Sequence, residues 1–134
     1  MYKYLIILFM SILFTSCSNT DDPLSPSYSS EELMEFRNIA WNDLSTSEIE
    51  TVIISKEESI IQYATISSKD GIWYYKIDEK NKCTFALTNS NIDFRNDQTF
   101  VIITINTSDD ALLGPIVVIL EPNSKQVFGR GTRW

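Results

Sequence analysis

From Tyr28 onward the apolar positions change their period once. Leu33, Phe36, Ala40 and Leu44 recur at spacings of three and four, with Trp41 beside them, which places them on one face of a helix. Ser29 and Glu32 have the spacing of a capping box, and Tyr28 and Leu33 occupy the staple positions around it, so this helix is expected to start at about Ser30. A second box, Ser45 with Glu48, flanked by Leu44 and Ile49, predicts a break and a short second helix through about Val52. After Ser59 the pattern shifts to short β-branched and aromatic runs: Ile60–Ile66, Ile72–Asp78, Cys83–Thr88, Thr99–Thr107, Ile116–Glu121 and Gln126–Gly129. Turn residues at Lys69-Asp70-Gly71, Glu79–Lys82 and Pro122–Lys125 close hairpins between them. The pattern therefore predicts an α+β domain, an N-terminal helix plus a short second helix packed on an antiparallel β meander of four to six strands.

Two of the runs are apolar at every position that decides a face. In Phe100–Ile105 and Ile116–Leu120 both alternating sets are hydrophobic, which an antiparallel sheet with one wet face does not tolerate. These strands belong at the centre of the sheet with both faces covered, by the short helix and the Trp134 tail or by another protein. Trp73 and Tyr75 alternate with Tyr74, so the first two share a face and Tyr74 looks the other way.

The first residues read differently. Lys3 precedes an apolar run from Tyr4 to Phe14 that ends in small residues just before Cys17, the layout of a secretory signal. As a helix that run would cover roughly half of a ~30 Å hydrocarbon core, too little for a stable span. Phe14-Thr15-Ser16-Cys17 resembles the lipobox of bacterial lipoproteins, with Phe14 where Leu is usual. The resemblance implies that Cys17 is lipidated and becomes the new N-terminus. Residues 18–27, polar and carrying Pro23 and Pro26, form no core and read as a tether. The acidic pair Asp21-Asp22 is similar to the export signal of some Gram-negative lipoproteins, and Ser18 after the cysteine argues against inner-membrane retention. The expected organisation is a signal peptide over 1–16, a lipidated flexible tether over 17–28 and a single α+β domain over 29–134. The expected location is the outer membrane of a Gram-negative bacterium, lipid-anchored, with the surface-exposed side open.

Composition narrows the chemistry. With 11 Lys+Arg against 18 Asp+Glu, a net charge of −7 and no histidine, the chain of 134 residues is poorly suited to nucleic acid and has no Ser-His-Asp triad or histidine metal site. Two cysteines make no thiolate metal cage, and Cys83 reads as a small packing residue. The loop from Asn106 to Pro115, which joins the two most hydrophobic strands, carries an adjacent acid pair, Asp109-Asp110, followed by Leu112-Leu113. Neighbouring carboxylates in extended chain point apart, so an ordinary turn is favoured over paired-acid catalysis or a cation site. Leu112 and Leu113 either cap the core or are displayed for binding. Arg130 and Arg133 in the C-terminal segment read as a solvated tail pairing with the acidic surface, with anion binding as the alternative. The element order loosely resembles the cystatin-like small secreted α+β domains. The resulting expectation is a lipid-anchored envelope protein, a non-enzymatic binding or inhibitor module for a protein or glycan partner, with no cofactor or metal and with Asp109, Asp110, Leu112 and Leu113 as its binding residues. The alternatives are a carboxylate-dependent envelope enzyme and a structural subunit of an envelope assembly. If Cys17 carries the anchor, a Cys17→Ala protein should leave the membrane fraction, since stable anchoring needs the acyl chains. Intact-mass measurement of membrane-extracted protein should find lipid on Cys17, and a bare cysteine there would end the claim.

Overall fold

The computed structural model describes residues 26–95 and 98–133. The signal, Cys17, most of the tether and Trp134 lie outside the described residues. Helix α1 spans Ser30–Asn42 and α2 spans Thr46–Thr51. Both begin at the boxes read from the sequence: the Ser29 N–H donates to Glu32 at 2.8 Å and the Ser45 N–H to Glu48 at 2.9 Å, with the serine hydroxyls accepting in return. A 3₁₀ turn over Lys56–Glu58 leads into six strands, β1 Ile60–Lys69, β2 Ile72–Lys76, β3 Lys82–Leu87, β4 Thr99–Ile105, β5 Ile116–Glu121 and β6 Gln126–Gly131, with a single-turn helix α3, Asp110–Leu113, between β4 and β5.

These strands do not form an open meander. They close into an antiparallel barrel in the order β1-β2-β3-β6-β5-β4, with α1 on its outside, and this replaces the α+β helix-on-meander architecture and the cystatin-like comparison. The hairpins are where the turn residues put them. Asp70 and Gly71, both at positive φ, link Lys69 to its partner Ile72 in a two-residue turn whose twist suits a hairpin. Closure comes from pairings that no local signal announces. The ten-residue β1 divides its length, pairing β4 through Ile60–Thr65 and β2 through Thr65–Lys69, while β3 pairs β6 through Phe85–Leu87.

Closure turns one side of every strand inward. Ala64 and Ile66 of β1, Tyr75 of β2, Phe85 of β3, Phe100 and Ile102 of β4, Ile119 of β5 and Phe128 of β6 fill the interior, and Trp73 packs with Tyr75 on that face. The centroids of the Phe100 and Phe128 rings lie 4.8 Å apart, and Trp73 meets Phe94 and Phe128 edge-on at 5.3 and 5.6 Å. The opposite faces of β4 and β5, Val101, Ile103, Ile105, Ile116, Val118 and Leu120, form a second core with Phe36, Ala40 and Leu44. The second apolar face is thus covered by the long helix α1, with Val52 and Ile54 after α2 packed against it as well. That is why both sets in these strands are hydrophobic. Trp134, the other expected cover, lies outside the described residues.

A bulge in the β5–β6 ladder between Ile119 and Leu120 sets the packing beside Phe128. A Cβ at Gly129 would sit 2.4 Å from the Phe85 ring and 2.8 Å from the Ala86 carbonyl oxygen, so glycine is needed for this close approach. Gly129→Ala should cost about 1–3 kcal/mol, the range for overfilling a packed core. Denaturant unfolding of the variant would show it as a lowered midpoint at unchanged slope.

Candidate functional site

The register assigns the connections to two ends of the barrel. At one end lie the β1–β2 turn, the segment after β3 and the Pro122–Lys125 turn, because Lys69, Leu87, Thr99 and Glu121 are the strand termini there. At the other lie the β2–β3 turn, the loop 106–115 and the residues after Gly131. Helix α1 starts at the first end, where Glu35 bonds Lys125 at 2.6 Å, and finishes near β6, where Asp43 bonds Arg130 at 2.7 Å. The chain therefore enters at the first end, the entry end, and the loop 106–115 sits at the far end.

At the far end the paired acids have different partners. The Asp110 carboxylate folds into its own loop, accepting from the Thr107 N–H at 2.9 Å, the Thr107 hydroxyl at 2.7 Å and the Asn106 amide at 2.8 Å. Burial pushes its pKa up, but these donors and the nearby Arg133 outweigh that and hold it below the ordinary value. Asp109 has only a 3.3 Å contact with the Ser108 hydroxyl. The pair opens the single-turn helix α3, with Asp109 as the residue before it and Asp110 its first, so the chain there is not extended as expected from the sequence. Arg133 locks the same loop, donating to the Gly114 carbonyl at 3.0 Å and the Thr107 hydroxyl at 2.9 Å. Arg130, inside β6, reaches Asp43 and Glu48, so these two arginines are wired into the fold and do not belong to a solvated tail.

Leu112 on this pinned loop is 82 % exposed and belongs to neither core, so it does not cap one. Ile53, 66 % exposed, adjoins the loop through its N–H to the Asn106 carbonyl. Leu113 turns into a depression of about 340 Å³ that Tyr75, Cys83, Pro115, Val117 and Gly131 also line. Cys83 is exposed there, which corrects its reading as a packing residue. Burial, and then a hydrogen bond and charge interaction with Cys83, hold the Tyr75 phenol well above its ordinary value, so it stays neutral.

The entry end carries a larger and more polar cleft, about 930 Å³, that sequence reasoning missed. Its floor is Glu121, a carboxylate on a residue only 4 % exposed. The Ser124 N–H donates to it at 2.6 Å, the Asn123 N–H and side-chain amide each at 3.1 Å, and the Gln98 amide at 2.6 Å. Burial pushes the carboxyl up, but the donors from Ser124 and Asn123 more than reverse this and keep it below its ordinary value. One signal was in the sequence: an acid ending an apolar strand, with Pro-Asn-Ser after it, suits a carboxylate that caps its own turn.

Comparison with family models, with curated proteins and with solved structures finds no match to this chain. Among the described residues no three acidic or thiol side chains gather as a metal would need.

Glu121 and Asp110 both have depressed pKa values, so each stabilises the fold while ionised and loses that contribution as pH falls below the ordinary values of 4.5 and 3.8 toward its folded-state value. The melting temperature should be flat from about pH 8 to 5.5 and fall below about pH 4.5. Glu121→Gln should lower it at neutral pH and flatten the acid limb; identical pH profiles for the two proteins would remove Glu121 from this role.

Proposed function

We propose that this chain is a lipid-anchored, non-enzymatic binding module of a Gram-negative outer membrane, tethered through Cys17, that meets a protein partner with its far-end loop. The observation that carries this reading is Leu112, a large apolar side chain 82 % exposed on a loop held rigid by Asp110 and Arg133. Apolar side chains displayed on a fixed scaffold are how many recognition loops work, because little ordering entropy is lost on contact. The entry of the chain at the opposite end supports the same reading, since an anchor there leaves the loop facing away from the membrane. Asp110 is spent on holding the loop, which argues against the carboxylate-enzyme alternative.

Leu112→Ser should change stability by no more than about 0.5 kcal/mol, as for a surface position. A photo-crosslinking side chain at Leu112, in intact cells, should give a discrete protein adduct that the same group at the exposed Ser67 does not. No adduct at Leu112, or the same adduct from both positions, would remove the loop as the docking surface.

A further inference from the structure

The entry-end cleft is organised by hydrogen bonds whose direction can be worked out. An ionised carboxylate accepts and cannot donate, so Gln98 and Asn123, both bonded to Glu121 through their side-chain amides, must turn their NH₂ groups to it. Their carbonyl oxygens are left without a donor among the described residues. A second chain fixes Gln126. The Asn91 N–H donates to the Asn89 side-chain oxygen at 3.1 Å, which obliges the Asn89 NH₂ to donate to the Gln126 oxygen at 3.2 Å and leaves the Gln126 NH₂ without an acceptor among the described residues. Gln98, Asn123 and Gln126 all line the cleft, with Asp93 and Arg95 beside them and Ile92 as an apolar patch.

Among the described residues the cleft thus offers acceptors of fixed orientation at Gln98 and Asn123, a donor at Gln126, and the exposed charges of Asp93 and Arg95. A phosphate or carboxylate ligand would face two carbonyl oxygens and Asp93, while a cation would meet Arg95 and the Gln126 donor. Hydroxyl groups suit this set, because each can donate to a carbonyl oxygen and accept from an amide. A volume of about 930 Å³ lies at the upper end for small-ligand pockets and has room for a two-ring sugar. We propose that the cleft is a saccharide-binding site for a neutral mono- or disaccharide, oriented by the amides that Glu121 and Asn89 hold. This site is independent of the far-end loop, on the opposite end of the barrel.

The test titrates maltose, cellobiose and diacetylchitobiose into the isotopically labelled chain, isolated from membranes into phosphocholine micelles that carry no sugar. At least one should shift the side-chain NH₂ resonances of Gln98, Asn123 and Gln126 in a saturable way. Gln98→Ala and Asn123→Ala should each weaken that sugar by about tenfold, the loss expected for a removed hydrogen bond at the strong end of the range. Melting temperatures of both variants, measured alongside, separate lost binding from lost folding, and Gln126→Ala, outside the Glu121 network, provides a third variant. The proposal is overturned if none of the three sugars moves these resonances, if inorganic phosphate moves them as strongly, or if the folded variants bind as the parent does.

Discussion

The β4–β5 pair, buried on both sides, is the constraint on which the rest of the molecule depends. Its inward residues Phe100, Ile102 and Ile119 must be enclosed by other strands, and its outward residues Val101, Ile103, Val118 and Leu120 must be enclosed by something else. A sheet that closes on itself solves the first demand and removes exposed strand edges as well. Helix α1 solves the second by laying Phe36, Ala40 and Leu44 on the outer face. Once α1 is fixed there, the chain must enter beside Lys125 and leave α1 beside Arg130. The positions of both candidate binding surfaces follow from that.

This dependence also explains how much of the fold was legible in the sequence. Helix starts, strand runs and hairpin turns were readable, because a capping box or an Asp-Gly turn is chemistry between residues a few positions apart. Full burial of Phe100–Ile105 and Ile116–Leu120 was readable too, since it is a property of each run alone. The architecture was not, because the β1–β4 and β3–β6 ladders join segments far apart in the chain and leave no periodicity of their own. The site follows the same division. That Asp109 and Asp110 belong to the connection between strands could be argued locally, though not that they open a helical turn, whereas the exposure of Leu112 depends on where α3 lies relative to two cores. The Glu121 cleft needed Gln98 brought across twenty-three positions to the end of β5 by the β4–β5 register, and the segment after β3 brought beside Gln126 by the β3–β6 pairing that closes the barrel.

The acidic composition takes on a different meaning in the folded chain. Glu32, Glu48 and Glu58 return to the backbone N–H groups at the starts of three helical turns. Asp78, Asp110 and Glu121 do the same for the β2–β3 turn, the far-end loop and the β5–β6 turn. A carboxylate bonded to a backbone donor satisfies a group that would otherwise need water, and the bond favours its own ionised form. Much of the negative charge is thus bound up in holding connections still, so net charge is a poor guide to which partner the surface attracts.

Rigid connections matter because both surfaces are made of connections. The far-end loop is stiff by virtue of Asp110 and Arg133, and its presented groups are apolar; the entry-end turn is stiff by virtue of Glu121, and its presented groups are amides. In each case a charged side chain is held by hydrogen bonds inside the connection, Asp110 within its loop and Glu121 at the floor of its cleft. Its effect is to fix neutral groups in one orientation, which on the proposed readings lowers the ordering cost of recognition. The barrel wall and α1 hold the two cores, so exposed groups at either end such as Leu112 and Gln126 can change with little effect on the fold, whereas Asp110 and Glu121, which hold their connections, cannot. That separation of duties is the physical basis for reading this small domain as a scaffold that displays binding surfaces.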